Sequence, residues 1–109
     1  MPNNFRVKTS GSIGGTAHTI YTCPASTQTT VIGLNLANIL TTGITANVLL
    51  ENADSDNINI IKNAPIPTGS ALAPIGGTQK LVMEAGDVLK VSSSDSASID
   101  CALSVLEVS

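Results

Sequence analysis

Residues 79–92 read QKLVMEAGDVLKVS and contain two short runs in which apolar and polar residues alternate. Leu81 and Met83 precede the break, Leu89 and Val91 follow it, and the break contains Gly86, which can adopt a positive φ. Alternation with a period of two places the apolar side chains on one face of a strand. The stretch therefore predicts two strands that turn their apolar residues toward a core, joined by a hairpin turn or by a tight corner between two sheets.

Alternating runs recur along the rest of the chain, and no segment keeps the three-four spacing of an amphipathic helix for three turns. Turn-forming residues separate the runs about every 8–12 residues. This pattern predicts an all-β protein, an antiparallel β-sandwich of about seven or eight strands with a jelly-roll or immunoglobulin-like fold. The main strands are predicted at residues 17–23, 31–39, 44–51, 57–62, 79–92 and 99–105.

The order of these runs also suggests pairings. Residues 31–39 and 44–51 are predicted to form a hairpin, and residues 99–105 are predicted to pair with residues 79–92. Residues 63–70 contain two prolines and a glycine, which interrupt a ladder of hydrogen bonds. We expect this segment to carry the chain from one sheet to the other.

The phase of each run predicts which side chains face the core. In residues 31–39 the inward set is Ile32, Leu34 and Leu36. In residues 17–23, Ile20 is predicted to point inward and Tyr21 to lie on the opposite face.

The first fifteen residues differ from the rest of the chain. Phe5 and Val7 alternate with Arg6 and Lys8, and a turn-rich segment follows that we expect to be mobile. The length of 109 residues fits one domain. We therefore predict an extended N-terminal arm at residues 1–15, able to extend the sheet of a neighbour, and a single sandwich domain at residues 16–109.

The composition argues against several classes of partner. The net charge is −3 and the five basic residues are scattered, so the chain lacks the clustered cations that bind nucleic acid. It has no apolar run of about 18 residues, so no membrane span is predicted, and the first residues do not resemble a signal peptide. Cys23 and Cys101 lack metal-ligand spacing and are interpreted as two buried thiols, with a disulfide between them left open.

Residues that carry reaction chemistry elsewhere have simpler interpretations here. His18 has no nucleophile tied to it by a motif and is interpreted as an exposed or hydrogen-bonded strand residue. Glu51, Asp54 and Asp56 lie in an acidic segment without the spacing of a calcium loop, which indicates a solvated turn. Glu84 and Asp87 flank the turn at Gly86, where Asp commonly bonds to the backbone. We expect no catalytic site, no cofactor and no metal, and hence no enzyme.

The remaining apolar residues suggest an interface. Several aliphatic side chains fall out of phase with the inward sets, and apolar side chains on an outer face mark a surface that something else covers. Only 12% of the residues are charged, against about 25% in an average globular protein. The alternative is that these side chains are covered within the fold of the subunit itself, or that the predicted strand register is wrong by one residue. The predicted interface residues are Phe5, Val7, Leu49, Ile61, Val82, Leu106 and Val108.

Five segments in this order carry a resemblance over residues 17–109: IYTCPA at 20–25, VIGLNLAN at 31–38, IKNAPIPTGS at 61–70, LVMEAGD at 81–87 and SVLEV at 104–108. Their order resembles that of small virion structural proteins of tailed bacteriophages, including marine and cyanobacterial phages. The resemblance implies a non-enzymatic part of a virion, assembled in the host cytoplasm. It implies no catalytic residues.

These observations lead to a ranked expectation. The first is a capsid decoration (cement) protein that docks on the major capsid protein through its sandwich surfaces. A tail, neck or fibre-associated protein is the alternative, and a host-surface or carbohydrate-binding module is a further one, opposed by the scarcity of aromatic residues for sugar stacking. We expect a homo-oligomer and favour a trimer, since closed cyclic assemblies are common and phage lattices offer threefold positions.

Overall fold

The computed structural model describes residues 3–52, 57–75 and 81–108. Within these ranges the secondary structure consists of β-strands, and no helix is long and apolar enough to cross a membrane. The strands are β1 (Asn3–Ile13), β2 (His18–Thr22), β3 (Gln28–Asn38), β4 (Ile44–Glu51), β5 (Asn57–Ile66), β6 (Ala71–Ile75), β7 (Leu81–Met83), β8 (Val88–Ser93) and β9 (Ile99–Val108).

The strands form two antiparallel sheets that pack face to face. The five-stranded sheet has the order β1-β9-β3-β6, with β7 paired to β3 beside β6, and the four-stranded sheet has the order β2-β8-β4-β5. The chain crosses between the sheets after each of β1, β2, β3, β5, β7 and β8. This arrangement is a jelly roll. The predicted antiparallel sandwich is confirmed, and nine strands are seen in the described residues rather than seven or eight.

The core lies between the two sheets and is almost entirely aliphatic. Four alternating residues of β9, Ile99, Cys101, Leu103 and Val105, are buried. Of the residues predicted to face the core in 79–92, Met83, Leu89 and Val91 are buried and Leu81 is partly buried. Close packing of small and branched side chains suits a sandwich with so few aromatic residues. The largest fully buried side chains are Leu34, Leu36, Ile66, Ile75, Met83, Leu89, Ile99, Leu103, Val31, Val48, Val91 and Val105.

The turn at Gly86 is a corner between the sheets and not a hairpin. β7 pairs with β3 in one sheet, whereas β8 pairs with β2 and β4 in the other. Gly86 has a φ of 90°, as its position in the turn predicts, and its N–H donates to the Cys23 carbonyl at 3.0 Å. The Asp87 carboxylate accepts from the Glu84 N–H at 3.0 Å, which confirms a structural role for Asp87 in the turn.

Two predicted pairings are wrong. β3 and β4 lie in different sheets and form no hairpin, and β9 pairs with β1 and β3 instead of β7 or β8. Alternation determines which face of a strand is buried but not which strand lies beside it. The predicted crossing between sheets is confirmed, since β5 belongs to the four-stranded sheet and β6 to the five-stranded sheet, but it occupies residues 67–70 alone. Residues 63–66 continue β5 and pair with β4, so the predicted break in the ladder at residue 63 is wrong.

Two β-bulges explain the side chains whose faces were predicted wrongly. A register shift between Val31 and Gly33 places Val31 in the core with the predicted Leu34 and leaves Ile32 partly buried. A second shift, between Thr19 and Tyr21, buries both Ile20 and Tyr21. An extra residue in one strand reverses the phase of alternation beyond it, so neither change follows from a period of two.

Residues 3–13 of the predicted arm form β1, which pairs with β9 of the same chain from Asn3 opposite Val108 to Ile13 opposite Ile99. The turn-rich segment that was expected to be mobile begins inside this strand, since β1 continues to Ile13. The division into an arm at residues 1–15 and a sandwich domain at residues 16–109 stays a prediction.

Candidate functional site

An apolar row crosses the outer face of the five-stranded sheet. Phe5 of β1 lies opposite Leu106 of β9, Leu106 lies opposite Thr30 of β3, and Thr30 lies opposite Val82 of β7. Neighbouring strands are about 4.8 Å apart, so the row extends roughly 14 Å across the sheet. Phe5 is 76% exposed and Val82 is 62% exposed, so the row faces away from the core.

Val7 and Val108 widen this row. Each lies two residues from a member of the row on the same strand and therefore on the same face. Val7 is 64% exposed and Val108 is 36% exposed. We call Phe5, Val7, Val82, Leu106 and Val108 the outer apolar patch. It contains five of the seven predicted interface residues.

Leu49 and Ile61 do not belong to this patch. Leu49 is in β4 of the four-stranded sheet, between Asn59 and Lys90 on the neighbouring strands. Ile61 of β5 is partly buried and packs against the core. The structure therefore places Leu49 on the opposite side of the sandwich and assigns Ile61 a packing role.

The surroundings of the outer apolar patch are small and mostly uncharged. On the outer face of β1, β3, β7 and β9, the charged side chain among the described residues is Asp100, which lies at the far end of β9 from the patch and accepts the Ser12 N–H at 3.0 Å. Uncharged polar groups cost less free energy to desolvate than charged groups. This face is therefore suited to packing against another protein surface. Its smaller residues are Thr9, Thr30, Gly33, Asn35, Ala37, Ala102 and Ser104.

In residues 5–8 of β1 the charged side chains are on the inner side of the sheet and the apolar side chains are on the outer side, which is the reverse of an ordinary sandwich strand. Arg6 and Lys8 lie opposite Val105 and Leu103, which face the core, so the charged residues of β1 are on the inner side and Phe5 is on the outer side. β1 is at the edge of its sheet, where the inner side chains still reach solvent, and both Arg6 and Lys8 are exposed. Burial within the subunit thus does not account for Phe5 and Val7.

A buried carboxylate ties β1 to the sandwich. Glu107 accepts a hydrogen bond from the Tyr21 hydroxyl at 2.5 Å and from Arg6 Nε at 2.6 Å. Thr29 Oγ1 lies 2.8 Å from the Tyr21 hydroxyl oxygen and donates to it, because the hydroxyl proton is directed at Glu107. The hydrogen bond from Tyr21, together with that from Arg6 and the charge of Arg6, lowers the pKa of Glu107, although burial opposes this shift.

The alternation of β9 predicts one member of the cluster of Glu107, Tyr21, Arg6 and Thr29. Glu107 continues the inward series of Leu103 and Val105, so an inward carboxylate at the end of the strand follows from the phase. Burial, and then the bond to Glu107, raises the pKa of Tyr21 to about 12, so Tyr21 remains a hydrogen-bond donor at neutral pH. A cavity of about 370 Å³ opens beside the cluster and is lined in part by Lys8 and Thr22.

Removing the Tyr21 hydroxyl tests the role of this cluster. Because the pKa of Glu107 is lowered in the folded protein, its contribution to stability is present above the ordinary carboxyl pKa of about 4.3 and is lost as the pH falls toward the folded value. We expect Tyr21→Phe to lower the free energy of unfolding by about 1–2 kcal/mol at pH 7 and to flatten its decrease below about pH 4. Urea melts between pH 3 and pH 7 measure both effects. Parallel pH curves for the two proteins would contradict this role.

The other candidate residues have structural roles or no assigned role. His18 is exposed and its Nε2 lies 3.3 Å from Ser10 Oγ, which confirms the interpretation as an exposed, hydrogen-bonded strand residue. Glu51 forms an ion pair with Lys90 at 2.8 Å, whereas Asp54 and Asp56 lie outside the described residues. Among the residues that are described, no group of three or more His, Cys, Asp or Glu side chains is placed to hold a metal ion.

Both thiols are free and buried, which confirms their interpretation as core residues. Burial raises the pKa of Cys101 to about 11. Cys23 Sγ lies 3.3 Å from both the Thr27 carbonyl oxygen and Thr29 Oγ1. The alternative of a bridge between the two cysteines is not what the structure shows.

No protein-family model and no curated protein matches the sequence. A solved structure does share the fold. It is described as "Bacillus endospore appendages form a novel family of disulfide-linked pili", and it superposes with a TM-score of 0.58 at 12% identity, over 97% of this chain and 85% of that chain. At this level of identity the likeness establishes the fold alone.

Proposed function

We propose that the protein is a non-enzymatic structural subunit that assembles with copies of itself, and that the outer apolar patch is the surface through which the copies meet. The observation that carries this proposal is the row from Phe5 through Leu106 to Val82, which is in register across four strands. Phe5 and Val82 are exposed, and Leu106 between them is partly buried.

The free energy favours covering this row. Full burial of one large apolar side chain contributes about 1.5–3 kcal/mol, and Phe5, Val7 and Val82 are all more than half exposed. The neighbouring side chains are small, so a second sheet can approach to the usual packing distance of about 10 Å. Few charges are desolvated in the contact, because Asp100 lies away from the patch.

The likeness in fold supports an assembling subunit of this kind. The similar solved structure belongs to proteins described as pili. Those pili are described as disulfide-linked, whereas Cys23 and Cys101 are inside the core of this chain. These two buried thiols are therefore not expected to form disulfides between copies of this protein.

The assembly in question is a bacteriophage virion, and the protein decorates its capsid in contact with the major capsid protein. The order of the five sequence segments that resemble phage virion proteins supports this assignment, and jelly rolls are a common architecture of viral capsid domains. The subunits form trimers at threefold positions of the lattice. The protein is located in the virion and is assembled in the host cytoplasm.

A place in the tail, neck or fibre is the second candidate, and the pilus-like fold favours it because a pilus is an elongated assembly. A carbohydrate-binding module is disfavoured by the position of Tyr21, which is 5% exposed and offers no ring face to a sugar. Phe5 is then the single exposed aromatic side chain of the sequence.

The copy number in purified virions of the encoding phage tests the proposal. Quantitative electrophoresis against the major capsid protein is expected to give hundreds of copies per particle. A dozen or fewer copies would move the protein to the tail or neck. Absence from the particles would overturn the assignment to a virion and leave self-assembly to be judged by itself.

A further inference from the structure

β1 consists of two parts that are held differently. Ile13, at its end, is buried in the core, and its carbonyl accepts the Ser98 N–H at 2.9 Å. The Gly14 carbonyl that follows accepts the Ser93 N–H at 2.9 Å. These contacts fasten residues 13–14 to both sheets of their own subunit.

Residues 3–10 are held almost entirely by backbone pairing. From Asn4 to Ser10 no side chain is buried, and the register with β9 is continuous from Asn3 to Ser10. The side-chain contact of this segment with a buried group is the ion pair of Arg6 with Glu107. Loss of the segment would therefore open a ladder of hydrogen bonds, one ion pair and the exposed contact of Ser10 with His18, but would leave no cavity in the core.

A break in the strand separates the two parts. The pairing with β9 shifts register between Ser10 and Ile13, and Ser12 has a φ of 55°, in the left-handed region that a residue other than glycine rarely adopts. Gly11 precedes this residue. Straightening the chain at Gly11 and Ser12 would relieve the unfavourable backbone conformation and swing residues 3–10 away from the subunit while Ile13 stays in place. The bond from the Ser12 N–H to Asp100 Oδ1, which is exposed to solvent, opposes this change.

We propose that residues 3–10 of β1 are exchanged between copies, so that in the assembly this segment pairs with β9 of a neighbouring copy. This inference rests on the proposed self-assembly. A second copy provides the same ladder partners and the same Arg6, so every contact broken in one subunit is formed again in the next. Exchange of identical elements is a low-cost route to an oligomer for this reason.

The ion pair makes the exchange selective. Glu107 lies at a buried position of β9 and needs a cation beside it when the segment is replaced. A strand that does not carry an Arg at the position opposite Val105 leaves this carboxylate with the Tyr21 hydroxyl alone. Phe5 and Val7 travel with the segment, so exchange also places two residues of the outer apolar patch on the neighbouring copy.

Two disulfide variants that share one cysteine test the exchange. Thr9 and Asn35 lie opposite Ala102 on its two sides, Thr9 in β1 and Asn35 in β3. One variant carries Thr9→Cys with Ala102→Cys, and the matched control carries Asn35→Cys with Ala102→Cys. Paired residues of antiparallel strands are within the Cα separation that a disulfide spans. Each variant is assembled under reducing conditions, confirmed as an oligomer by sedimentation, oxidised with diamide and separated by denaturing electrophoresis without reductant.

Exchange predicts that the variant with Thr9→Cys gives covalent dimers and larger species, because the linked strands belong to different chains, whereas the control migrates as a monomer. Monomers from both oxidised assemblies would overturn the exchange and leave the proposed function standing. A wild-type protein that remains monomeric at all concentrations would overturn the proposed self-assembly and the exchange with it.

Discussion

Leu89→Ala is expected to lower the free energy of unfolding of the subunit by about 2–5 kcal/mol, a large fraction of the stability of a domain of this size. Leu89 is fully buried between the two sheets, on β8 in the middle of the four-stranded sheet. Truncation to Ala removes apolar contacts and leaves a cavity that neighbouring strands on both sides prevent from closing. Urea melts of the wild type and the variant at pH 7 measure the loss.

Val82→Ala is the matched control for this prediction. Val82 is 62% exposed on the opposite side of the five-stranded sheet from the core, so its truncation should change the stability of the isolated subunit by about 0.5 kcal/mol or less. The same substitution should weaken the assembly, because it removes part of the outer apolar patch. Equal destabilisation of the subunit by the two substitutions would contradict the assignment of the inner and outer faces.

Leu106→Asp is expected to separate the assembly into subunits that remain folded. Leu106 is at the centre of the outer apolar patch, between Phe5 and Thr30. Leu106 is partly exposed in the subunit, so a carboxylate at this position can reach solvent there, but it becomes an unpaired buried charge in the contact. The cost is about 3 kcal/mol or more, which lowers the association constant a hundredfold or more.

Asn59→Asp provides the control for charge alone. Asn59 is exposed on β5 of the other sheet, so this substitution adds the same charge away from the patch. Sedimentation velocity of the two variants compares their oligomers, and circular dichroism confirms that both are folded. If Leu106→Asp assembles as well as Asn59→Asp, the outer apolar patch is not the surface where copies meet.

The sequence predicts which residues of a strand face the core better than it predicts which strands pair with one another. Alternation predicts the buried positions of β9 and the burial of Leu89 and Val91, because the period of a strand is a local property. The neighbour of each strand depends on where the loops cross between the sheets. β3 and β4 are joined by a short connection, which is typical of a hairpin, yet they lie in different sheets.

In the candidate site, too, the face of a side chain is predictable from the sequence, whereas its neighbours on other strands are not. The phase of its strand predicts Val82 on an outer face, and the alternation of the N-terminal arm makes Phe5 and Val7 interface candidates. The structure places the three together because β1 and β7 lie on the same sheet. Ile61 is partly buried against the core, where β5 changes register against β4, and a period of two does not predict such a shift. The burial of Tyr21 depends on another bulge, so its bond to Glu107 required the structure.

Sedimentation equilibrium of the wild-type protein over a wide range of concentrations tests the central claim most directly. The account predicts a reversible oligomer, with a trimer of three times the subunit mass of 11.1 kDa as the expected species. A single species at 11.1 kDa at every concentration would contradict it, because the outer apolar patch would then remain exposed to solvent.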